Sequence, residues 1–292
     1  MRYVVAVAEL GNFTRAAERC FVVQSALSHQ VARLEQELGA RLFHRTSRQV
    51  RITPAGEAFL PEARRCLEAA DRARAEVTAA TGEIRGRLSV GVIPTVAAVD
   101  VPRALRTFHG RYPEVRVGLS TGSSDALMRR VSDGRLDLAF LGLPVGTEVK
   151  TIRGRVLATD RHVAVVAADH ALAAAKRLRL ARLAKEVFVD FPAGTPGREQ
   201  TDQAFDAAGL TRDVAFEVAD AHLMAALIRQ HLGVALLPSS YAPSLAGVTT
   251  VRVDGAPVRT EHLVWSPLGP SPAAAAFLEQ LGLGEGWSRG SS

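Results

Sequence analysis

Gln24, Ser25, Ser28 and His29 fall at i, i+1, i+4 and i+5, so a helix would carry them on one face. All four are hydrogen-bonding side chains of short or medium reach, the chemistry that reads base edges in a DNA major groove. Arg33 lies a turn further on, where a phosphate would be. Residues 1–60 hold eight arginines (2, 15, 19, 33, 41, 45, 48 and 51) against five acids, and four of those arginines lie within 41–51. Such a cluster suits the DNA backbone.

Two amphipathic segments position these groups. Phe13, Ala16, Ala17 and Cys20 repeat at helical spacing, with Asn12 as N-cap and Arg15 facing out. Leu27, Val31, Leu34 and Leu38 repeat the pattern over 24–38, and Gly39 closes it. Three residues separate the pair, which predicts a helix-turn-helix. Two strand-like pieces, Arg41–Phe43 and Val50–Ile52, then flank a basic turn. This reads as a wing whose Arg45 and Arg48 reach the minor groove or the backbone.

From Pro54 to about Thr81 the composition favours a long helix, either kinked at Pro61 or starting after it. Phe59, Ala63, Cys66, Ala70, Ala73, Val77, Ala80 and Ile84 alternate in steps of four and three. That seam suits either packing on the helix's own domain or, as favoured here, dimerisation, which would set the spacing of two DNA half-sites.

After Gly86 short β-branched strands alternate with helices, predicting an α/β fold with largely parallel sheets. Two lobes are expected, the chain crossing to the second near 160 and returning near 260. A cleft between strand ends would then hold a ligand. Its candidate contacts are Pro94 and Thr95, opening a helix whose amides could hold a carboxylate, together with Ser123, Ser124, Gly142, Thr195 and Pro196. Turn and capping chemistry is the alternative role for each. Asp220 and His222 are weaker candidates, because helix capping explains them fully.

The chain of 292 residues carries +6 formal charge, 47% hydrophobic and 23% charged residues. It is long enough for more than one core and too apolar for disorder. Its longest apolar runs, such as Val163–Ala168, fall far short of the roughly 20 residues of a membrane helix. With no small-residue cleavage site near the N-terminus, a cytoplasmic location and no membrane partner are expected. Cys20 and Cys66 form neither a disulfide framework nor a metal cluster and are expected to be buried. No nucleophile elbow, P-loop, GxGxxG after a strand, HExxH or CxxC is present, so neither an enzyme nor a metal site is expected. No cysteine follows residue 66, which argues against thiol redox sensing in the C-terminal part.

The stretch FTRAAERCFVVQSALSHQVARLEQELGARLFHRTSRQVRITPAG, residues 13–56, resembles the N-terminal signature of the LysR-type transcriptional regulators without a gap. GRLDLAFLGLP (134–144) and IRQHLGVALLP (228–238) resemble their effector domain. The resemblance implies an α+β multidomain protein: a winged helix-turn-helix over 1–53, a linker or dimerisation helix and hinge over 54–86, and a two-lobed, periplasmic-binding-protein-like effector domain over 87–284. Lobe I would hold about 87–160 and 266–284, lobe II about 161–265, and 285–292 would be a flexible tail. It implies base reading by Gln24, Ser25, Ser28 and His29, and backbone roles for Thr14, Arg33, Arg45 and Arg48. The implied partners are promoter DNA with interrupted dyad symmetry, a small-molecule effector such as a carboxylate, further copies in a homodimer or homotetramer, and RNA polymerase. No cofactor is implied. Val23 stands where the family usually places a capping Ser, and Ser25 where it often places Pro. The chain also opens where family members are already inside their first helix, so that helix is expected to start short. A solute-binding transport component is the rival reading, because the same lobes could serve it.

Overall fold

The computed structural model describes residues 1–45, 50–80, 83–149 and 152–283. It divides into one unit built chiefly on residues 1–83 and another built chiefly on those from Ile84 onward. Among the described residues no helix is long and apolar enough to cross a membrane.

The first unit contains α1 (Arg2–Leu10), α2 (Phe13–Arg19), α3 (Gln24–Leu38), β1 (Phe43–Arg45), β2 (Val50–Ile52) and α4 (Pro54–Ala80). Asn12 caps α2 by accepting from the Arg15 amide at 3.0 Å. Val4, Val7, Phe13, Ala16, Ala17, Leu27, Val31, Leu42, Phe43 and Leu60 form one core, in which Phe13 meets Phe43 edge to face at 6.0 Å. The α3 stripe stops short of its expected end, because Leu38 is exposed.

Residue Phe21 closes α2 in the left-handed conformation, at φ 56°. The Phe21 amide donates to the Glu18 carbonyl and that of Val22 to the Ala17 carbonyl, the hydrogen-bond pattern of a Schellman cap, where glycine is the usual residue. Its ring is 95% exposed, so packing does not offset the strain. Phe21→Gly is therefore expected to stabilise the first unit by about 0.5–1 kcal/mol, measured by urea denaturation.

The wing strand starts at Phe43 rather than Arg41, and the amides of Leu42 and Phe43 both donate to Glu35 Oε1, at 2.8 and 3.2 Å. Thr53 caps α4. Its hydroxyl accepts from the Gly56 amide at 3.0 Å and donates to the Arg41 carbonyl at 2.6 Å. A Cβ on Gly56 would run into the Leu42 carbonyl, so only glycine lets α4 pass beneath the wing. The helix runs unbroken through Pro61. Proline removes a single i→i−4 bond there, and the adjacent turns are held by buried Leu60 and Ala63.

Two parts of the predicted seam are spent elsewhere. Phe59 packs on the core of the first unit and Ala63 is fully buried within the chain, while Ile84 packs on a core of the second unit. Cys66, Ala70, Ala73 and Val77 stay exposed, Val77 at 71%. The expectation of buried cysteines also fails: Cys66 is exposed and Cys20 half-buried, since α4 at residue 66 has left the core that holds Leu60.

The second unit contains β3 (Gly86–Val92), α5 (Val101–Arg111), β4 (Val115–Thr121), α6 (Ser124–Ser132), β5 (Leu138–Pro144), β6 (Arg153–Ala167), β7 (Arg177–Arg179), α7 (Leu180–Leu183), β8 (Val187–Asp190), α8 (Pro196–Ala207), β9 (Asp213–Glu217), α9 (Ala221–Arg229), β10 (Ala235–Pro238), β11 (Val248–Asp254), β12 (Val258–Trp265) and α10 (Pro272–Gln280). Strand order is β4-β3-β5-β12-β6-β11-β7, with β10 also paired to β6. The expected largely parallel sheet is instead mixed. β3 pairs in parallel with β4 and β5, whereas β12 runs antiparallel to β5 and β6, and β10 and β11 antiparallel to β6. Reversal is forced by the two long strands that link the lobes, β6 outward and β12 back. Strands β7 and β11 and the short α7 carry no signal that the sequence reading detected.

Each lobe packs helices on both faces of its sheet. Phe108, Phe140 and Phe277 mark one core of lobe I, and Leu127, Leu136 and Leu141 the other. In lobe II, Phe188 and Phe205 fill one side and Met224, Ile228 and Leu237 the other.

Candidate functional site

On the first unit, Gln24, Ser25 and His29 are exposed along the start of α3, with Ser28 half-buried beside them. Thr14, Arg15 and Arg33 are exposed too, and Arg33 Nε pairs with Glu37 at 3.1 Å. An exposed i,i+4 pair of this kind is weak and readily exchanged for a phosphate. Val23 supplies no side-chain cap to α3. Arg45 pairs with Val50 across the wing, whereas Arg48 lies outside the described residues.

Within the second unit, a cavity of about 330 Å³ lies between the lobes. Pro94, Thr95, Ser123, Ser124, Gly142 and Thr195 line it, six of the seven residues expected there. Pro196 does not. It is the first residue of α8, where its missing amide proton costs nothing.

The chemistry at the lobe I strand ends differs from expectation. No helix opens at Pro94 and Thr95; α5 starts at Val101, capped by Asp100. The loop amides of Ala97 and Ala98 donate instead to the Glu261 carboxylate at 3.1–3.2 Å, so the chain's own acid takes the place foreseen for a ligand carboxylate. Ser124 Oγ donates to the Gly142 carbonyl and accepts from its amide, both at 3.0 Å. Ser123 Oγ donates to Asp125 and Thr195 Oγ1 to the Pro192 carbonyl, so both hydroxyls also serve turns.

Sequence reading missed the residue at the centre, Arg259, which lines the cavity with 3% of its side chain exposed. Arg259 and Glu261 are two apart on β12 and share a face, and β6 register sets Asp160 opposite Arg259. Nε of Arg259 donates to Asp160 at 3.0 Å, Nη1 to Thr95 Oγ1 at 2.8 Å, and Nη2 to the Thr95 carbonyl at 3.0 Å and to Glu261 at 3.3 Å. A Cβ on Gly142 would come within 2.8 Å of Nη1, so glycine makes room for the guanidinium. The available signal was Arg-x-Glu in an otherwise apolar strand, since such charges are buried only when paired.

Burial would raise the Asp160 carboxyl, but a hydrogen bond from Ser240 and the Arg259 charge hold it below its ordinary value. Burial raises Glu261 despite the same arginine. Burial, reinforced by the Arg259 charge, pushes His162 down to about 4. Its Nδ1 lies 3.2 Å from the Pro257 carbonyl, so Nδ1 carries the proton and Nε2 is left as an acceptor. A histidine with a lowered pKa stabilises the fold fully above pH 6.5 and loses that contribution as pH falls toward 4. Relative to His162→Asn, the protein should lose about 3 kcal/mol of unfolding free energy across that window, measured by denaturation at several pH values.

Phe191, Pro192, Gly197 and Gln200 close the cavity from lobe II. Gln200 Nε2 donates to the Gly142 carbonyl at 3.3 Å, and its Oε1 is buried without a partner. Asp220 caps α9 by accepting from Leu223, and neither it nor His222 lines the cavity.

A winged helix-turn-helix joined to a two-lobed domain with an inter-lobe cavity defines a DNA-binding regulator with a ligand-binding domain. The LysR substrate binding domain profile matches residues 81–283, and that of the bacterial regulatory helix-turn-helix protein, lysR family, matches residues 1–57. The chain belongs to the LysR family of transcriptional regulators. It is 34% identical over 253 residues to transcriptional dual regulator GltC of Bacillus subtilis, covering 87% of this chain and 84% of that protein. With the regulator ShiR of Corynebacterium glutamicum it shares 36% over 238 residues, 80% and 79% of the two chains. A cysteine-to-aspartate variant of full-length OxyR from Pseudomonas aeruginosa superposes with a TM-score of 0.76 at 26% identity, over 97% of this chain and 94% of that one. CbnR complexed with its target DNA gives 0.64 at 28% identity, over 96% of each. The similar proteins are named as transcriptional regulators and not as transporters, so the solute-binding alternative falls.

Proposed function

We propose that this regulator acts in the cytoplasm as a homodimer or homotetramer on promoter DNA with interrupted dyad symmetry, and that a small molecule held between its lobes controls it. The observation that carries the DNA reading is the exposure of Gln24, Ser25 and His29, with half-buried Ser28 beside them, at the start of α3. The exposed run Cys66, Ala70, Ala73 and Val77 on α4 supports pairing of two copies, since small side chains allow close helix approach. The cavity lined by Thr95, Ser124, Gly142 and Gln200 supports a regulating ligand. That ligand acts by binding two arrangements of the DNA-binding pairs with different affinity, and RNA polymerase is the component that would read the outcome.

Footprinting on the DNA upstream of the protein's own and neighbouring genes tests this directly. Two protected half-sites a whole number of helical turns apart are expected. Protection of a single half-site, or none, would overturn the dimeric reading.

A further inference from the structure

One face of the lobe II sheet carries unmatched charge. Residues alternate between faces along a strand. Ala164 and Val166 of β6, Val251 and Val253 of β11 and Leu178 of β7 all pack into the core that holds Phe188 and Phe205. Arg161, Arg252 and Arg177 therefore lie on the opposite face. Part of that face is covered by α9, whose Met224 and Ile228 share a core with Val163 and Val165. The three arginines lie beyond the cover and are exposed. Together with Ser239 and Asp254 they line a groove of about 490 Å³, enough for a small molecule, which shares only His162 with the inter-lobe cavity.

Strand register makes this arrangement unfavourable without an anion. Arg252 stands directly opposite Arg177 in the parallel pair of β11 and β7. In the antiparallel pair with β6 it stands opposite Val163, two residues from Arg161. Like charges in such positions repel. Asp254, the groove's only carboxylate among the described residues, pairs with Arg177 at 3.2 Å. Arg161 donates from Nη1 to the Ala256 carbonyl at 3.2 Å, a bond that orients the guanidinium without neutralising it. Among the described residues neither Arg161 nor Arg252 has a carboxylate partner. Protection of the sheet edge explains an arginine on the terminal strand β7, but β6 and β11 are interior strands, paired on both sides, where that role does not arise.

We propose that this groove on lobe II is a second ligand site, for a small dianion bearing phosphate or carboxylate oxygens. Two uncompensated guanidinium groups call for two negative charges, and each fork offers paired N–H donors to two oxygens of such a group. The site lies within one lobe, and its occupancy does not require the inter-lobe cavity to hold a ligand.

Isothermal calorimetry on the full-length protein, at constant ionic strength and mildly alkaline pH, compares the dianions inorganic phosphate and succinate with the monoanion acetate. Saturable binding of phosphate or succinate at one site per chain is expected, the preferred anion fixing the oxygen chemistry, with acetate about tenfold weaker or more. Arg161→Gln combined with Arg252→Gln should weaken binding about tenfold or more. The ligand-free melting temperature should not fall in that variant, since both side chains are exposed and the repulsion with Arg177 is relieved. Arg252→Lys should lose part of the affinity, because an ammonium keeps the charge and lacks the fork. Ala219→Trp, which fills the inter-lobe cavity from an exposed lining position, should leave binding intact. No saturable binding, equal affinity in the double variant, or loss of binding in Ala219→Trp would overturn the proposal. So would a double variant whose one change is weaker binding to unrelated duplex DNA, a result that would give this face to the nucleic-acid backbone.

Discussion

Arg259→Met is expected to destabilise the effector domain by about 3–5 kcal/mol, because it leaves Asp160 and Glu261 buried without their shared cation. Two acceptors on Thr95 lose their donor in the same step. Urea denaturation at neutral pH measures the loss. Its pH dependence separates charge from packing. In the native protein Asp160, held below its ordinary value, contributes stability that is present above the unfolded carboxyl pKa and lost as pH falls through the folded one. Glu261, raised by burial, contributes in the other direction, its share being lost as pH rises. Removing the arginine takes away the charge that holds Asp160 down and lets burial raise Glu261 further. The deficit should therefore be greatest at neutral pH and shrink as the solution is acidified. A deficit that does not change with pH would assign the role of Arg259 to packing. Arg259→Lys should recover only part of the loss, since an ammonium cannot reproduce the bonds that Nε, Nη1 and Nη2 make together.

The second large effect falls on DNA recognition. Gln24→Ala combined with Ser28→Ala should cost about 1–3 kcal/mol of specific affinity per base contact, while affinity for unrelated DNA stays nearly constant. Arg45→Ala should act differently, weakening all sequences alike and flattening the salt dependence. Gel shifts with the footprinted site and a scrambled duplex, at two salt concentrations, distinguish them. If the double variant retained its preference for the site, the face of α3 would not be the reading surface. Neither Gln24 nor Ser28 is part of the core that holds Leu27 and Val31, so folding should survive both changes.

How well each part could be read from the chain depended on how far its contacts reach along it. The helix pair was legible because Asn12 caps Arg15 three residues on, and because Leu27 and Val31 repeat at the period of one helix face. Six of the seven cleft residues were legible for a similar reason, since strand ends with Gly, Ser, Thr and Pro advertise turns. What those residues do was not legible. The amides after β3 answer to Glu261, more than 160 positions away, and nothing near Pro94 announces it. The dimer seam was overdrawn at both ends, because a heptad pattern cannot tell a stripe that meets another chain from one that meets its own core, as Phe59 does.

The sequence by itself determined the winged helix-turn-helix, the long helix after it and the α/β character of the remainder, because caps and apolar periodicity act over a few residues. Only the tertiary structure decided that the sheet is mixed, that α4 passes through Pro61, and that Arg259, Asp160 and Glu261 converge on one face of β6 and β12. Those outcomes follow from strand register and from burial of charge among distant partners. The charge of the inter-lobe cavity, and with it the ligand that the cavity can take, is a property of the folded chain.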